Sequence, residues 1–495
     1  MLSFLLATHS WTLPTAARRI TSLGRRRISP SMIDLGKFFN TGSGTASAER
    51  TSWDSSECTA PDWDELRSMH DAQATPAQLA FRETLATSPN AASLATERRF
   101  DLPEGQSPRV VLYRDQAAWC PYCEKVWLAL EEKRVPYSIF KVNMNCYGSK
   151  PPAFLAIQPS GGIPVAQLDG QTIRESNDIL QAIEDAFPER PLIPPPSDPR
   201  SARVRPLLTL ERQLFSAWFR WLTSSGSHGA QLVNFEALLR EVEAELAEGG
   251  GPYFLGAELS LVDCMFAPFL ERMAASLPYY KALQLRANPE YPRLNAWFAA
   301  MESRPSYRHI QSDFYTHVHD LPPQVGRCQA VPEARKFAAA IDGDDGSWRL
   351  PLPPDDALQP VGGLGLSEGE AKVEAAERLM HNAAAVTRFA ARGTGRAGFP
   401  GVGAELSDPN ATPDEAAMPA VDAALRHVVH ALLAGTDAAG ARVATASLPA
   451  STVTPTLGYL RDRISVPRAM SWPAARQLRA HLNWMIDAAA QAQVA

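Results

Sequence analysis

Trp119-Cys120-Pro121-Tyr122-Cys123 is the segment of this 495-residue sequence whose residue types and spacing can do chemistry. Two thiols in a Cys-x-x-Cys arrangement can form a mixed disulfide and then resolve it. Pro121 lacks an N–H and is favoured at the first position of a helix, which predicts Cys120 as the N-cap. Its sulfur then faces the free N–H groups of Tyr122 and Cys123 at the positive end of the helix dipole. Both effects favour thiolate over thiol and make Cys120 the nucleophile, with Lys125 and Lys133 adding positive charge further along. Cys123, deeper in the helix, is placed to attack a mixed disulfide on Cys120 as the resolving thiol. The alternatives are a pair of ordinary buried cysteines and a zinc site. Zinc would need two more ligands, and no second Cys-x-x-Cys or close His pair supplies them, so no metal is expected.

A strand must lead into this motif and a helix must leave it. Arg109–Arg114 (RVVLYR) reads as a short apolar strand, and Pro121–Lys133 carries helical spacing at Val126, Trp127 and Leu130. Tyr137–Val142 alternates and predicts a second strand. Val165–Leu168 and Thr172–Ile173 flank Asp169-Gly170, a two-residue hairpin signal, and Ser176–Ala186 returns to helix. The order is β-α-β, a connecting segment, then β-β-α. A strand, Cys-x-x-Cys and helix in succession point to a redox pair rather than structural cysteines.

Two more places belong near Cys120. Ile163-Pro164 follows Ser160-Gly161-Gly162 and precedes a strand. A cis bond there would turn the Ile163 backbone outward to pair with an extended thiol peptide. A trans loop proline is the commoner state, and position alone does not choose. Glu175-Ser176 opens the next helix, where the Ser176 hydroxyl and the terminal amides make either a carboxylate-binding corner or a plain N-cap.

The rest of the chain sets the frame. Hydrophobic residues make up 45% and charged residues 21%, ordinary globular composition with length for about three domains. A net charge of −6 speaks against a general nucleic-acid binder, and no apolar run of about 18 residues predicts a transmembrane helix. The first 33 residues hold no Asp or Glu but five arginines among Ser and Thr, the composition of an organelle transit peptide. Residues 49–105 read as a linker or N-terminal arm with a helical stretch near Pro76–Ala86. Pro188–Pro206 is a Pro-rich linker, and residues 201–320 are almost all helical by period, with a capping box at Ser260–Asp263 and Leu259 and Cys264 at the staple positions. Helical stretches follow at Ser367–Arg392, Asp414–Leu433 and Pro473–Ala490, expected to bury an apolar stripe against each other or against the core. His427 and His430 read as a surface pair, Trp218 and Trp221 as core, and Cys58, Cys146, Cys264 and Cys328 as structural or incidental. The last 45 residues carry a net +3, read as a solvated helix face rather than a docking surface.

With these motifs in place, residues 109–187 resemble the thioredoxin-fold half of a glutathione transferase, and residues 200–320 resemble its all-helical half. The dithiol, the long extension and the transit-like leader are similar to the iota class of photosynthetic organisms. Tyr459–Arg463, Val466-Pro467-Arg468 and Pro473–Trp484 resemble that class's C-terminal signature. Cys123 departs from the single-cysteine pattern of the omega, lambda and dehydroascorbate reductase classes.

The resemblance implies an α/β thioredoxin-fold domain, then an all-α glutathione-transferase C-terminal domain, then a mainly helical C-terminal extension. The implied segments are 1–48 (transit peptide), 49–105 (linker or arm), 106–190, 200–322 and 325–495. Glutathione would be the co-substrate. Cys120 would be the nucleophile with Cys123 beside it, and Tyr122, Ile163, Pro164, Glu175 and Ser176 would bind glutathione. Within that set, Ile163 and Pro164 pair with its cysteinyl part and Glu175 and Ser176 hold its γ-glutamyl end. Gly162 stands where many members carry Lys or Gln. The implied reaction is thiol transfer, deglutathionylation or dehydroascorbate reduction. Conjugation would be weak or absent, because a cysteine replaces the Tyr or Ser that stabilises the glutathione thiolate. Implied partners are a small-molecule or glutathionylated protein substrate, a second copy in a homodimer, and an unknown partner docked by the extension, with no nucleic acid and no transmembrane segment. The implied compartment is the plastid stroma, with the mitochondrion second. The competing readings are a non-catalytic glutathione or ligand carrier and assembly platform, and a dithiol oxidoreductase that does not use glutathione.

Overall fold

In a computed structural model, residues 53, 58–87, 95–226, 228–354, 358–360 and 365–492 are described; the leader read as a transit peptide lies outside them. Helices α1 (Trp63–Asp71) and α2 (Pro76–Thr87) come first. They are followed by β1 (Glu97–Arg98), β2 (Val110–Asp115), α3 (Pro121–Lys133), β3 (Tyr137–Val142), α4 (Pro152–Ile157), β4 (Val165–Leu168), β5 (Gln171–Arg174) and α5 (Ser176–Ala186). The strands form one mixed sheet in the order β1-β3-β2-β4-β5. β2 and β3 run parallel, with Val110 opposite Tyr137, and α3 makes the crossover that parallel strands need. β4 and β5 form a hairpin whose turn residues Asp169 and Gly170 have φ of 50° and 81°, the positive pair that a tight two-residue turn demands. β1 falls inside the segment read as a linker. It is two polar residues long, too short for alternation to show, and it is held as an edge strand antiparallel to β3.

A helical layer packs on this sheet: α6 (Ser201–Thr223), α7 (His228–Gly249), α8 (Leu261–Lys281), α9 (Pro292–Glu302), α10 (Pro305–Arg308), α11 (Phe314–Val325) and α12 (Arg335–Asp342). α8 is its axis, with every residue except Tyr279 buried. Burying the Asp263 carboxylate is costly and raises its proton affinity, and four donors offset this. They are the Ser260 N–H (2.9 Å) and hydroxyl (2.7 Å), the Phe254 N–H (3.2 Å) and Trp297 Nε1 (2.9 Å). One continuous core joins this layer to the sheet.

The extension contains α13 (Glu368–His381), α14 (Ala383–Ala390), α15 (Met418–Ala434), α16 (Thr436–Val443), α17 (Ala450–Arg461) and α18 (Trp472–Ala492). The stretch read as one helix from 367 to 392 breaks at Asn382, where φ is −139° and ψ 40°. These helices bury their apolar faces against each other in a second core, and the N-terminal arm contributes Leu66 to it. Trp63 Nε1 donates to Asp422 (3.0 Å), and Arg67 and Arg82 both reach the buried Glu377 (2.7 and 2.9 Å). Two sequence readings are corrected here. His427 and His430 are buried among the Ala, Val and Leu side chains of α15 rather than exposed, and burial pulls His427 down to about 4. The C-terminal arginines are consumed internally. Arg479 is fully buried against Asp313, Arg463 stacks 3.7 Å over Tyr459, and Arg461 pairs with Asp462. Among the described residues, no helix is long and apolar enough to cross a membrane.

Candidate active site

Cys120 is the N-cap of α3 with Pro121 at the first helical position. The sulfur makes no hydrogen bond to the first-turn amides. The Cys123 and Glu124 N–H groups instead donate to the Cys120 carbonyl (3.1 and 3.0 Å), so the helix terminus acts on the sulfur through its dipole. Cys120 is 8% exposed and Cys123 1%. Burial, a hydrogen bond to Cys120 and its proximity push the Cys123 thiol well up, so it stays protonated beside its neighbour. None of the six cysteines is in a disulfide. Burial also pushes Cys146 and Cys328 up to about 12, which leaves them poor nucleophiles. The expected positive charge from α3 is reduced. Lys125 is buried, brought down to about 7 by desolvation and by Arg212, and donates to Asn177 Oδ1 (2.6 Å). Lys133 is spent on Glu184 (2.7 Å).

The loop into Cys120 is pinned from both domains. The Trp119 N–H donates to Asp115 Oδ2 (2.6 Å) at the end of β2. From α8, Arg272 donates to the Trp119 carbonyl and to Glu124 Oε2 (2.9 Å), and its guanidinium lies 4.6 Å from the Trp119 ring centroid. Glu124 and Glu271 are two buried carboxylates facing this single arginine. Desolvation raises both, and Glu271 reaches about 7. His317, 3.1 Å from Glu271, is held neutral by burial and by Arg272. Sequence reasoning missed Asp115 and Arg272. Glu271-Arg272, a charged pair inside the otherwise apolar run of α8, was the available signal.

Topology brings the remaining candidates to the same end of the sheet. β2 runs toward Cys120, and its Tyr113 pairs with Val165, the first residue of β4. Ile163-Pro164, with a cis peptide bond, therefore enters β4 beside the cysteine loop. Val165 in turn pairs with Arg174, the last residue of β5, which places Glu175 and Ser176 at that end too. Glu175 is exposed with φ 64° and ψ 124°, a conformation non-glycine residues rarely hold, and Ser176 is buried. Glu175, not Ser176, is the N-cap of α5, and the Glu175 side chain makes no cap bond, which leaves the first-turn amides of α5 without a side-chain cap. A residue absent from the sequence reading joins them. Lys150 packs on the loop before Pro164, and a Cβ on Gly161 would lie 3.0 Å from its Cδ. The Lys150 ammonium donates to the Asn143 carbonyl (2.6 Å) and lies in the field of Cys120, Cys123 and Asp115.

Tyr122, half-buried, meets Phe269 edge-on (5.8 Å), and Arg212 lies 4.8 Å over both Phe215 and Phe269. This aromatic wall with its arginine faces the cysteine turn. Trp218 and Trp221 do not take part. They are core residues that donate to Ser276 (3.0 Å) and His228 (3.1 Å).

Comparison with known proteins adds the following. Residues 119–186 match the glutathione S-transferase N-terminal domain family, and residues 201–300 match the glutathione S-transferase C-terminal domain family. The chain is 30% identical over 209 residues to the chloroplastic glutathione S-transferase DHAR3 of Arabidopsis thaliana, covering 42% of this chain and 74% of that one. It is 31% identical to the probable cytosolic glutathione S-transferase DHAR1 of Oryza sativa subsp. japonica, covering 38% and 82%. Glutathione S-transferase omega-1 of Sus scrofa is 26% identical, covering 44% and 89%.

Proposed function

Because this chain belongs to the glutathione S-transferase family, whose members use glutathione as co-substrate, we propose that it is a thiol transferase working through a Cys120–glutathione mixed disulfide. The Cys120 thiolate attacks the glutathionyl sulfur of a mixed disulfide RS–SG. The S–S bond breaks, RS⁻ leaves and takes a proton from solvent, and Cys120–S–SG remains. A second glutathione thiolate then attacks this disulfide, giving oxidised glutathione and regenerating the Cys120 thiolate. Cys123 is the internal alternative to that second glutathione. Its protonated state at rest favours the external route.

The observation that carries the proposal is the strand register. It places the capping thiol, Ile163-Pro164 and the open α5 terminus at one end of one sheet. In this reading the γ-glutamyl carboxylate lies at Glu175-Ser176 and the α5 amides, and the Ile163 backbone pairs with the cysteinyl unit. Lys150 takes the glycyl carboxylate, supplying the cation that Gly162 lacks. Tyr122, Phe215, Phe269 and Arg212 then line the acceptor side. The Arg-rich, acid-free leader and the name of the chloroplastic relative support a plastid location, while another relative is named cytosolic.

The test is turnover of a small glutathione mixed disulfide with excess glutathione, in wild type, Cys120→Ser and Cys123→Ser. Loss with Cys120→Ser alone supports monothiol transfer, and loss with either makes Cys123 obligatory. A folded, reduced wild type without turnover would sink the reading and favour a carrier role.

A further inference from the structure

We propose that Asp115, Cys120 and Cys123 form a three-ligand site for a thiophilic divalent cation, zinc in the first instance. Binding there competes with thiol transfer, because the same sulfur cannot serve both; that consequence rests on the function proposed above, whereas the binding does not. On sequence alone zinc lacked ligands. The fold supplies the third one, because β2 ends at the turn that carries the cysteines.

One carboxylate oxygen and the two sulfurs all lie within 4.8 Å of one another. Tetrahedral zinc, with bonds of about 2.3 Å to sulfur and 2.0 Å to oxygen, needs donor-to-donor edges of about 3.5–3.8 Å. Each edge must therefore close by at most about 1.3 Å, within reach of a turn of the Cys120 side chain. The sulfur makes no cap bond to the helix terminus, and its contact with the Cys123 thiol is one that a shared metal would replace. Asp115 is 1% exposed and its two oxygens are unequal. Oδ2 is bound by the Trp119 N–H (2.6 Å), which fixes the carboxylate as an outer donor fixes a metal ligand. Oδ1 is buried without a hydrogen-bond partner, a costly state that a cation would relieve.

Charge selects the valence. Two thiolates and one carboxylate carry −3. The fully buried Arg114, which donates to the Asp115 carbonyl (2.8 Å), contributes +1. A divalent cation brings the buried cluster to zero, whereas a monovalent one leaves a net charge in a dry site. Two sulfurs and one oxygen select zinc over magnesium or calcium, which take all-oxygen shells. The step is ligand exchange without redox change. From the Cys120 thiolate and the Cys123 thiol, one S–H bond breaks, two metal–sulfur bonds and one metal–oxygen bond form, and one proton leaves to solvent; a protonated Cys120 gives up a second. The fourth position opens on the partly exposed side of Cys120, where water or an incoming thiol completes the shell.

The test uses the reduced, metal-free full chain. Zinc is titrated against a chromophoric chelator, and cobalt(II) is added separately to read thiolate-to-metal charge transfer. Expected are one equivalent of zinc, a charge-transfer band that weakens in Cys120→Ser and in Cys123→Ser, and an affinity at least about tenfold lower in Asp115→Asn. His427→Ala should bind like wild type. Zinc should suppress disulfide turnover and a chelator should restore it. No stoichiometric binding, or binding unchanged in either cysteine variant, overturns the site. Should Asp115→Asn fail to fold, the cysteine variants decide. A wild type that binds zinc with these dependences but lacks turnover would overturn the enzyme reading and leave the site standing.

Discussion

Replacing Arg479 by methionine asks whether the extension is a structural part of the transferase or an appendage. Arg479 sits on α18, fully buried. It donates to Asp313 Oδ2 (2.5 Å) and to the Ile464 carbonyl (2.8 Å), with its guanidinium 4.6 and 4.9 Å from the Tyr315 and Trp348 rings. Methionine keeps the apolar stem but strands Asp313, itself unexposed, which caps α11 through the Thr316 N–H (2.9 Å). Removing one partner of a buried pair costs about 3–5 kcal/mol, mostly the penalty of the orphaned charge. At 2–4 °C per kcal/mol for a domain of this size, the melting midpoint should fall by roughly 6–20 °C. If the orphaned charge is the cause, Asp313→Asn added to Arg479→Met should recover about 2 kcal/mol or more, because asparagine still caps the helix without carrying charge. The assay is thermal melting of the full chain, wild type, both single variants and the double variant, read by tryptophan fluorescence and circular dichroism. A loss below about 1 kcal/mol, or a double variant no more stable than Arg479→Met, would refute the reasoning.

Four further outcomes follow from the site and its surroundings. Arg272→Lys cannot serve both the Trp119 carbonyl and Glu124, so kcat on a glutathione mixed disulfide should fall roughly 10–100-fold with little change in KM for glutathione; an unchanged kcat removes Arg272 from the positioning of Cys120. Lys150→Ala should raise the KM for glutathione about tenfold or more, as loss of one charge-assisted hydrogen bond predicts, and an unmoved KM would refute the carboxylate role. Glu271, raised to about 7 by burial, favours the fold when protonated, so its contribution is complete below about pH 4.5 and is lost as pH rises toward 7. Glu271→Gln should flatten that decline by up to about 2 kcal/mol between pH 5 and 7 in chemical unfolding, and an unaltered slope would count against it. Mild iodoacetamide at neutral pH should label Cys120 before Cys146 or Cys328, both held at about 12, as read by peptide mass mapping; Cys146 reacting first would contradict the assignment.

The elements that position Cys120 were legible because each carries a local signal. Pro121 marks the helix start, Asp169-Gly170 the hairpin, and Ser260–Asp263 the start of α8. What escaped lacked local pattern. β1 is two polar residues that become a strand only because β3 offers an unpaired edge. The arm looked like a linker because its buried face is small, and Leu66 joins a core built mainly by the extension, more than 300 residues away in sequence. The C-terminal arginines looked solvated because a basic run reads the same whether it meets water or an acid such as Asp313 from another layer.

The site divides along the same line. Cys120, Cys123, Ile163, Pro164, Glu175 and Ser176 flank element ends, where chain geometry alone suggests a role. Asp115, Lys150, Arg212 and Arg272 act through distance in space; the Glu271-Arg272 pair inside the apolar run of α8 marks a buried charge but not what it reaches. Arg272 shows the consequence. It lies 152 residues beyond Cys120 in sequence, yet it grips the carbonyl of the residue before it. The helical domain therefore does more than wall the acceptor side. It fixes the backbone from which Cys120 projects, so a loosened contact between sheet and α8 would first be felt at that thiol. The extension reaches that contact indirectly: Arg479 holds Asp313 at the start of α11, and His317 of α11 holds Glu271 beside Arg272. By steadying α11 against α8, the C-terminal segment thus reaches the contact that holds the Trp119 carbonyl.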